Sequence, residues 1–305
     1  MTAARPVPHR TPGPSVLIAG DVRAARRWYA EVLGFVEHVR IGEGIRTPRR
    51  VPTLWWMPDP GHFEAHAEIY ERARPPYPAQ LWARLGELGV VAPGVRVLEL
   101  GAGSGQATGP MIDAGASVLA VEPGATLAGR LRRRFPQAEV RVGTAEDVPL
   151  PAVAFEVAVA ATAVHWFDLD VVLPKVHRAL VPGGRFAIWR NAFGDPCAQL
   201  TPFRERVAQI TARRREPPRP GAGELDTAAW VDRLTRSGHF GAGHVEHFAW
   251  AIELTTGQVR DLFTTFSDWS AAEVAEAARA VDELGGRVLE HYVTPLIVLQ
   301  RTDEP

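Results

Sequence analysis

The sequence predicts an α/β protein built on a doubly wound, mostly parallel sheet. From Val95 onward, short apolar runs alternate with helical stretches of about ten residues, which is typical of repeated strand-helix units. A glycine-rich turn, "GAGSG", follows the first of these runs and opens a helix. Glu122 ends the second run, where the carboxyl end of a parallel strand faces a ligand crevice.

The predicted elements follow one another in a regular order. Two helices come first, split at "RPPYP" because Pro75 and Pro76 end one and Pro78 begins the next. The strands of the parallel sheet are then predicted at "VRVLEL", "SVLAVEP", "AEVRVGTAED", "FEVAVAATAVHW" and, after the turn "VPGG", "RFAIWRN". The helices between them are predicted at "GQATGPMIDAG", "ATLAGRLRRRF" and "LPKVHRAL".

The alternation breaks after this point. Residues 192–243 and 256–287 are predicted to be cap or insert segments, and "ARRREPPRPGAGE" is expected to be an exposed crossing. A helix is predicted at "TAAWVDRLTRSG", a strand at "HVEHFAWAIEL", and a long helical region from Thr256 to about Gly286. A last strand is predicted at "YVTPLIVLQR".

The bulk composition favours an ordinary globular protein. The 305 residues carry a net charge of −1 and 46% hydrophobic residues, so no basic surface suggests nucleic acid as a partner. No apolar run approaches the roughly 18 residues that span a bilayer. A cytoplasmic location without membrane contact is therefore expected. A single cysteine, Cys197, rules out an internal disulfide, and the pair His62 and His66 beside Glu64 has no third ligand, so we predict no metal.

The glycine turn predicts a site for an adenosine-bearing cofactor. A P-loop is excluded because Gln106, not lysine, follows the third glycine. A dinucleotide site prefers GxGxxG, whereas Gly101, Gly103 and Gly105 are spaced as GxGxG. Glu99, just before the turn, would repel a pyrophosphate but suits the ammonium group of S-adenosylmethionine (SAM). These residues favour SAM over NAD.

From about Phe63 to Arg301 the chain resembles the class I SAM-dependent methyltransferases. It is similar to their small-molecule branch, which includes trans-aconitate and quinone-biosynthesis enzymes. The matching segments are "YERARPPYP", "VLELGAGSG", "VEP", "GTAEDVPLP", "HWFD" and "RALVPGGRFAIW". The resemblance implies a seven-stranded Rossmann-like sheet with an antiparallel last strand over residues 61–305. It also implies SAM as cofactor and S-adenosylhomocysteine as product.

The resemblance assigns roles position by position. The glycine turn would lie against the methionine moiety, and the end of the second strand would bind the ribose. The loop after the third strand would bind the adenine. The end of the fourth strand would lie near the methionine amine. Tyr70 or Arg74 would close over the SAM carboxylate. The residues implied in cofactor binding are Tyr70, Arg74, Glu99, Gly101, Ala102, Gly103, Glu122, Pro123, Ala145, Glu146 and Thr162, and those implied in the substrate pocket are Tyr77, Trp166 and Asn191. Thr144 stands where relatives often carry aspartate.

His165 is the candidate catalytic residue. It lies on the loop after the fourth strand, where an imidazole can take a proton from a hydroxyl or enol of the acceptor. The alternative is that "HWF" only packs this loop. An O- or C-methyltransferase of small molecules, in the natural-product metabolism of a GC-rich bacterium, is the function predicted. Two alternatives stay open: a SAM-binding cyclase or pericyclase that does not methylate, and a non-catalytic protein with the same fold.

Residues 1–60 are predicted to be a separate appendage. "VLIAGDVRAARRWYAEVLGF" is similar to the first βα unit of glyoxalase/bleomycin-resistance proteins, which use paired modules. Ser15 and Val16 stand where a histidine is often found, so a metal enzyme is not expected. A half-module would leave an open sheet edge, and we therefore expect it to pack on the main domain or to form a homodimer.

Overall fold

The computed structural model describes residues 67–214, 223, 225–266 and 268–303. The predicted N-terminal half-module, its boundary at residue 60 and the His62, Glu64 and His66 group all lie outside these residues. Most of the predicted exposed crossing also lies outside them.

The described chain forms eight strands and nine helices. The strands are β1 (Arg96–Leu100), β2 (Ser117–Glu122), β3 (Glu139–Val142), β4 (Phe155–Ala161), β5 (Leu180–Trp189), β6 (Ala192–Phe193), β7 (Phe240–Thr255) and β8 (Arg287–Arg301). The helices are α1 (Ala67–Ala73), α2 (Ala79–Glu87), α3 (Thr108–Asp113), α4 (Ala125–Arg134), α5 (Leu169–Ala179), α6 (Pro202–Ala212), α7 (Thr227–Thr235), α8 (Thr256–Thr264) and α9 (Ala271–Glu283). A 3₁₀ turn, Val164–Trp166, follows β4.

All eight strands belong to one sheet, and the predicted fold class is confirmed. Its order is β3-β2-β1-β4-β5-β8, with β7 on the far edge of β8. The first five strands are parallel to one another, whereas β8 is antiparallel to β5 and β7. The short β6 is an eighth strand that the sequence did not predict. It pairs with β8 next to the part of β8 that pairs with β5.

The parallel strands are apolar because both faces of the sheet are covered. On one face, α2, α3 and α4 supply Leu81, Met111 and Leu131 to a buried cluster. On the other face, α5 and α7 supply Val172 and Leu234 to a second cluster. This two-sided burial explains why β1 is apolar after Arg96, with the single exception of Glu99.

The cap helices pack at one end of the β7–β8 hairpin. Phe203 of α6, Phe263 of α8 and Val281 of α9 are buried together with Leu254 of β7 and Val288 of β8. These contacts form a third apolar cluster, which lies where β7 ends and β8 begins.

Three sequence predictions differ from the structure in detail. The long helical region from Thr256 is two helices, α8 and α9, each begun by a capping box at Thr255 and Ser270. Helix α6 was not predicted, although Thr201 caps it and Pro202 occupies its first turn. The turn "VPGG" is drawn into β5, which has an irregular register opposite β4. Among the described residues, no helix is long and apolar enough to cross a membrane.

Candidate functional site

The glycine turn after β1 is held by close packing. Gly101 has φ +73°, and a Cβ there would lie 2.5 Å from the Cβ of Ala163. Gly105 has φ +94°, and a Cβ there would lie 2.5 Å from the ring of Phe135. Both positions therefore require glycine for conformation and for space. Ala102, between them, is buried.

Gly103 is different because a Cβ there would meet only ordinary contacts. The nearest atoms would be Cε1 of Tyr70 at 3.7 Å and Oε1 of Gln106 at 3.9 Å. The surface of the turn at Gly103 is thus flanked by an aromatic ring and an amide. This arrangement forms a cradle in which backbone can approach a ligand closely.

Glu122 joins the turn to the end of β2. Its carboxylate accepts hydrogen bonds from the backbone N–H of Gly103 at 2.7 Å and of Gly124 at 2.9 Å. Its side chain is 5% exposed, whereas Pro123 beside it is exposed. A carboxylate fixed by two N–H groups at the mouth of a parallel sheet is well placed to receive ribose hydroxyls.

Glu99 lies behind the same turn and is buried. Its Oε2 accepts a hydrogen bond from Oγ1 of Thr108 at 2.5 Å. Burial raises the pKa of Glu99 to about 8, which the Thr108 hydrogen bond opposes only in part. A cation beside this carboxyl would favour its ionised form. The ammonium group of SAM is such a cation.

Thr162 and Tyr77 meet at the end of β4. Thr162 adopts φ +59°, which is rare for a residue with a branched Cβ, and its N–H donates to the carbonyl of Trp189 at 2.7 Å. Its hydroxyl lies 2.9 Å from the hydroxyl of Tyr77. Burial raises the pKa of Tyr77, whose ring packs edge-on against Trp82 and Trp189. Tyr77 is thus a neutral wall of the site.

Arg74 lies between the first helix and the cap. Its guanidinium carbon is 4.9 Å from the ring centre of Tyr70 and 5.0 Å from that of Phe266. Its Nη2 donates to the carbonyl of Thr265 at 3.1 Å. Its Nε is buried and has no hydrogen-bond partner among the described residues. A cation stacked between two rings with a donor unused is suited to hold a carboxylate.

The loop after β3 is closed by hydrogen bonds within the protein. Ala145 is buried, and Oε1 of Glu146 accepts from the N–H of Asp168 at 2.9 Å. The hydroxyl of Thr144 donates to Asp147 at 3.0 Å. The predicted adenine contact of Glu146 therefore competes with the N-cap residue of α5. Asp147 is an additional acid in this loop that the sequence analysis did not single out.

The structure separates the remaining predicted residues into two groups. His165 and Trp166 lie in the 3₁₀ turn after β4, with their ring centres 4.3 Å apart. Asn191 instead braces the protein, because its Nδ2 donates to the carbonyls of Pro75 and Pro76 and its Oδ1 accepts from Thr294. The predicted pocket role of Asn191 stays a prediction beside this observed role.

The residues present fit SAM. Two acids, Glu99 and Glu122, lie beside the glycine turn and offer acceptors of the kind that an ammonium and a ribose diol need. Nε2 of Gln106 and Nε of Arg74 are buried donors without partners among the described residues, and such donors are costly unless a ligand satisfies them. Over the same residues, no group of three or more metal-ligating side chains comes together.

A second buried polar cluster was missed by the sequence analysis. Arg204, Glu290 and Tyr292 lie under the cap with side-chain atoms that make no hydrogen bond to other described residues. Arg204 and Glu290 are 86 positions apart in the chain, so no local pattern joins them. The one available signal was an acid, Glu290, next to an apolar strand.

Comparisons with known proteins agree with this geometry. Residues 98–188 match the methyltransferase domain family. An uncharacterised methyltransferase of Mycobacterium tuberculosis is 37% identical over 42% of this chain and 51% of its own length. A methyltransferase-like protein of Schizosaccharomyces pombe, also uncharacterised, is 28% identical over 67% of this chain and 77% of its own. The chain spans about half the length of the first of these curated relatives.

A solved structure shares the fold. It is described as a type II methyltransferase from Anaeromyxobacter dehalogenans and is 24% identical, with a TM-score of 0.53. The similarity covers 76% of this chain and 99% of that one. The chain therefore carries a methyltransferase domain over residues 98–188, set in a sheet with the fold of the class I SAM-dependent methyltransferases.

Proposed function

We propose that the protein is a SAM-dependent methyltransferase that acts on an oxygen or carbon atom of a small molecule. The observation that carries the proposal is the pair of buried acids, Glu99 and Glu122, on either side of the Gly101–Gly105 turn. The two acids match two of the parts of SAM that donate hydrogen bonds, the ammonium group and the ribose diol. The family match over the same strands supports this choice of cofactor.

The chain's residues have distinct tasks in this proposal. Glu122 receives the ribose hydroxyls, Glu99 the ammonium group, and Arg74 the carboxylate. SAM supplies an electrophilic methyl group when it is bound. Tyr77 and Thr162 close one wall of the site, and their mutual hydrogen bond leaves no charge there to compete for the methyl group.

His165 is the base that we propose for the acceptor. The 3₁₀ turn directly after β4 carries its imidazole at the carboxyl end of the sheet, where Thr162 also lies. A neutral imidazole takes the proton that a hydroxyl or enol loses as it is methylated. Trp166, packed against the imidazole, restricts its movement and excludes water.

The test is transfer of label from methyl-labelled SAM. The full chain is incubated with this SAM and with a fractionated small-molecule extract of the source organism. Label is expected in a small molecule, with S-adenosylhomocysteine formed in equal amount. The Glu122→Ala variant should bind SAM more weakly by about 1–3 kcal/mol, because two N–H groups and the ribose lose a buried acceptor.

A matched control is Glu139→Ala, which removes an exposed glutamate of β3 whose carboxylate forms an ion pair with Arg141. It should leave SAM binding and labelling unchanged. Tight SAM binding without labelled product in any fraction would contradict methyl transfer and favour a non-methylating enzyme. Failure to bind SAM at all would overturn the proposal.

A further inference from the structure

Glu290 is a fully buried carboxyl group without a good partner. It lies on β8 under the cap, its side chain is 0% exposed, and neither carboxyl oxygen has a hydrogen bond of normal geometry among the described residues. Such a group is destabilising, so its presence calls for a compensating role. Ile252, opposite Glu290 in the β7–β8 register, offers no polar atom.

Arg204 of α6 comes near Glu290 but does not satisfy it. Its Nε is 3.5 Å from Oε1 of Glu290, and its Nη2 is engaged by the carbonyl of Phe193 at 3.2 Å. The guanidinium stacks on the Phe193 ring, with its carbon 4.2 Å from the ring centre. Its Nη1 is buried without a partner among the described residues. The pair thus has one donor and two acceptors that make no hydrogen bond of normal geometry among the described residues.

Tyr292 completes the cluster. It follows Glu290 by two positions on β8 and therefore points to the same face of the sheet. Its ring stacks on Trp250 with the ring centres 4.8 Å apart, and its side chain is 2% exposed. Its hydroxyl has no hydrogen-bond partner among the described residues. The stacked Trp250 ring and the edge-on Phe193 ring restrict the position of this hydroxyl.

The cluster adjoins the proposed cofactor site through Arg74. The charge of Arg74 influences both Tyr77, which contacts Thr162, and Tyr292. Arg74 also stacks on Phe266, whose ring lies 5.9 Å from that of Phe193. A molecule held at Tyr292 would thus extend toward the cofactor under the cap helices.

We propose that Arg204, Glu290 and Tyr292 bind a hydroxyl group of the methyl acceptor and so orient it toward the cofactor. A hydroxyl is the group that satisfies the cluster, because its O–H donates to Glu290 while its oxygen accepts from Arg204 and Tyr292. When Glu290 is ionised, its charge and that of Arg204 cancel, which suits a neutral acceptor better than an anion. The Arg204 side chain is 10% exposed and that of Glu290 is 0% exposed, so the acceptor hydroxyl would reach the cluster from the Arg204 side.

This inference rests on the proposed function, and its test separates the two. The full chain is first titrated with S-adenosylhomocysteine. The saturated protein is then titrated with matched probes that differ by one hydroxyl: phenol and toluene, cyclohexanol and methylcyclohexane, 1-naphthol and 1-methylnaphthalene. At least one hydroxylated probe should bind more tightly than its partner. Tyr292→Phe and Glu290→Gln should each reduce that preference by about fivefold, the effect of one hydrogen bond.

The control is Glu253→Gln, an exposed residue of β7 paired with Arg287, which should keep the full preference. Tyr292→Phe removes one oxygen and keeps the packed ring, so it tests the site even if a Glu290 variant folds poorly. The inference is overturned if S-adenosylhomocysteine binds but no probe pair shows a hydroxyl preference that the two variants reduce. Failure of S-adenosylhomocysteine to bind would overturn the proposed function and this inference with it.

Discussion

Replacing Glu290 with glutamine should stabilise the protein more at pH 8 than at pH 5. Burial raises the pKa of Glu290 from 4.5 to about 7, which Arg204 and the His291 N–H oppose only in part. The folded state therefore holds a proton on Glu290 that the unfolded state has lost between these two values. Because the folded state binds more protons, its stability falls as the pH rises from about 4.5 to about 7. Glutamine does not ionise and escapes this loss.

The size of the effect follows from the shift in pKa. One pKa unit corresponds to roughly 1.4 kcal/mol, so complete ionisation of Glu290 costs the folded state about 3 kcal/mol. About 2.5 kcal/mol of this cost arises between pH 5 and pH 8. Urea unfolding of the parent protein and the Glu290→Gln variant at pH 5 and pH 8 measures this difference. Every other titrating group, including Tyr292 and Arg204, is present in both proteins, so its contribution cancels.

Two results would refute the reasoning. An equal stability difference at pH 5 and pH 8 would mean that Glu290 titrates as an ordinary exposed carboxyl. A variant less stable than the parent at pH 8 would mean that the ionised group is well compensated. The Glu253→Gln variant calibrates the method, because its exposed ion pair with Arg287 contributes little to stability.

Three further outcomes are expected. Gly101→Ala should lower the free energy of unfolding by about 2 kcal/mol in urea denaturation, because the new Cβ meets Ala163 at 2.5 Å and φ is +73°; unchanged stability would contradict the packing argument. His165→Ala should reduce kcat by about 100-fold with the Kd for SAM unchanged, and full turnover would leave only a packing role. SAM affinity should rise by up to about tenfold per pH unit between pH 6 and 7.5, as Glu99, whose pKa is about 8, gives up its proton to pair with the ammonium group. Calorimetry of Glu99→Gln should show no such rise, and a flat profile for the unaltered protein would refute the assignment.

The sequence predicted the parallel half of the fold well because its signals are local. The apolar runs of β1, β2 and β4 are buried on both faces, so they stand out from the helices between them. Glu99 and Glu122 could be singled out because each occupies a fixed place relative to the glycine turn. Their hydrogen bonds fix both carboxyl groups beside the turn, and their roles toward the cofactor stay predictions.

The cap and its polar cluster could not be predicted in the same way. Arg204 and Glu290 are distant in sequence, and their proximity depends on how α6 packs over β8. The pocket role of Asn191 stays a prediction, whereas its contacts with the carbonyls of Pro75 and Pro76, more than 100 positions earlier, could not be predicted. Side chains of this kind acquire their partners only when the whole sheet is assembled.

The pairing of β8 along both of its edges has a consequence for biosynthesis. Strand β5 needs β8, which is about 100 residues later in the chain, because Phe186 and Ile188 of β5 pair with Leu299 and Ile297. During translation, the glycine turn and all five parallel strands are made before that partner exists. The edge of β5 then offers unpaired backbone groups between apolar side chains, which is a template for joining another chain. A fragment that ends before residue 287 should therefore aggregate more readily than a chain that includes β8.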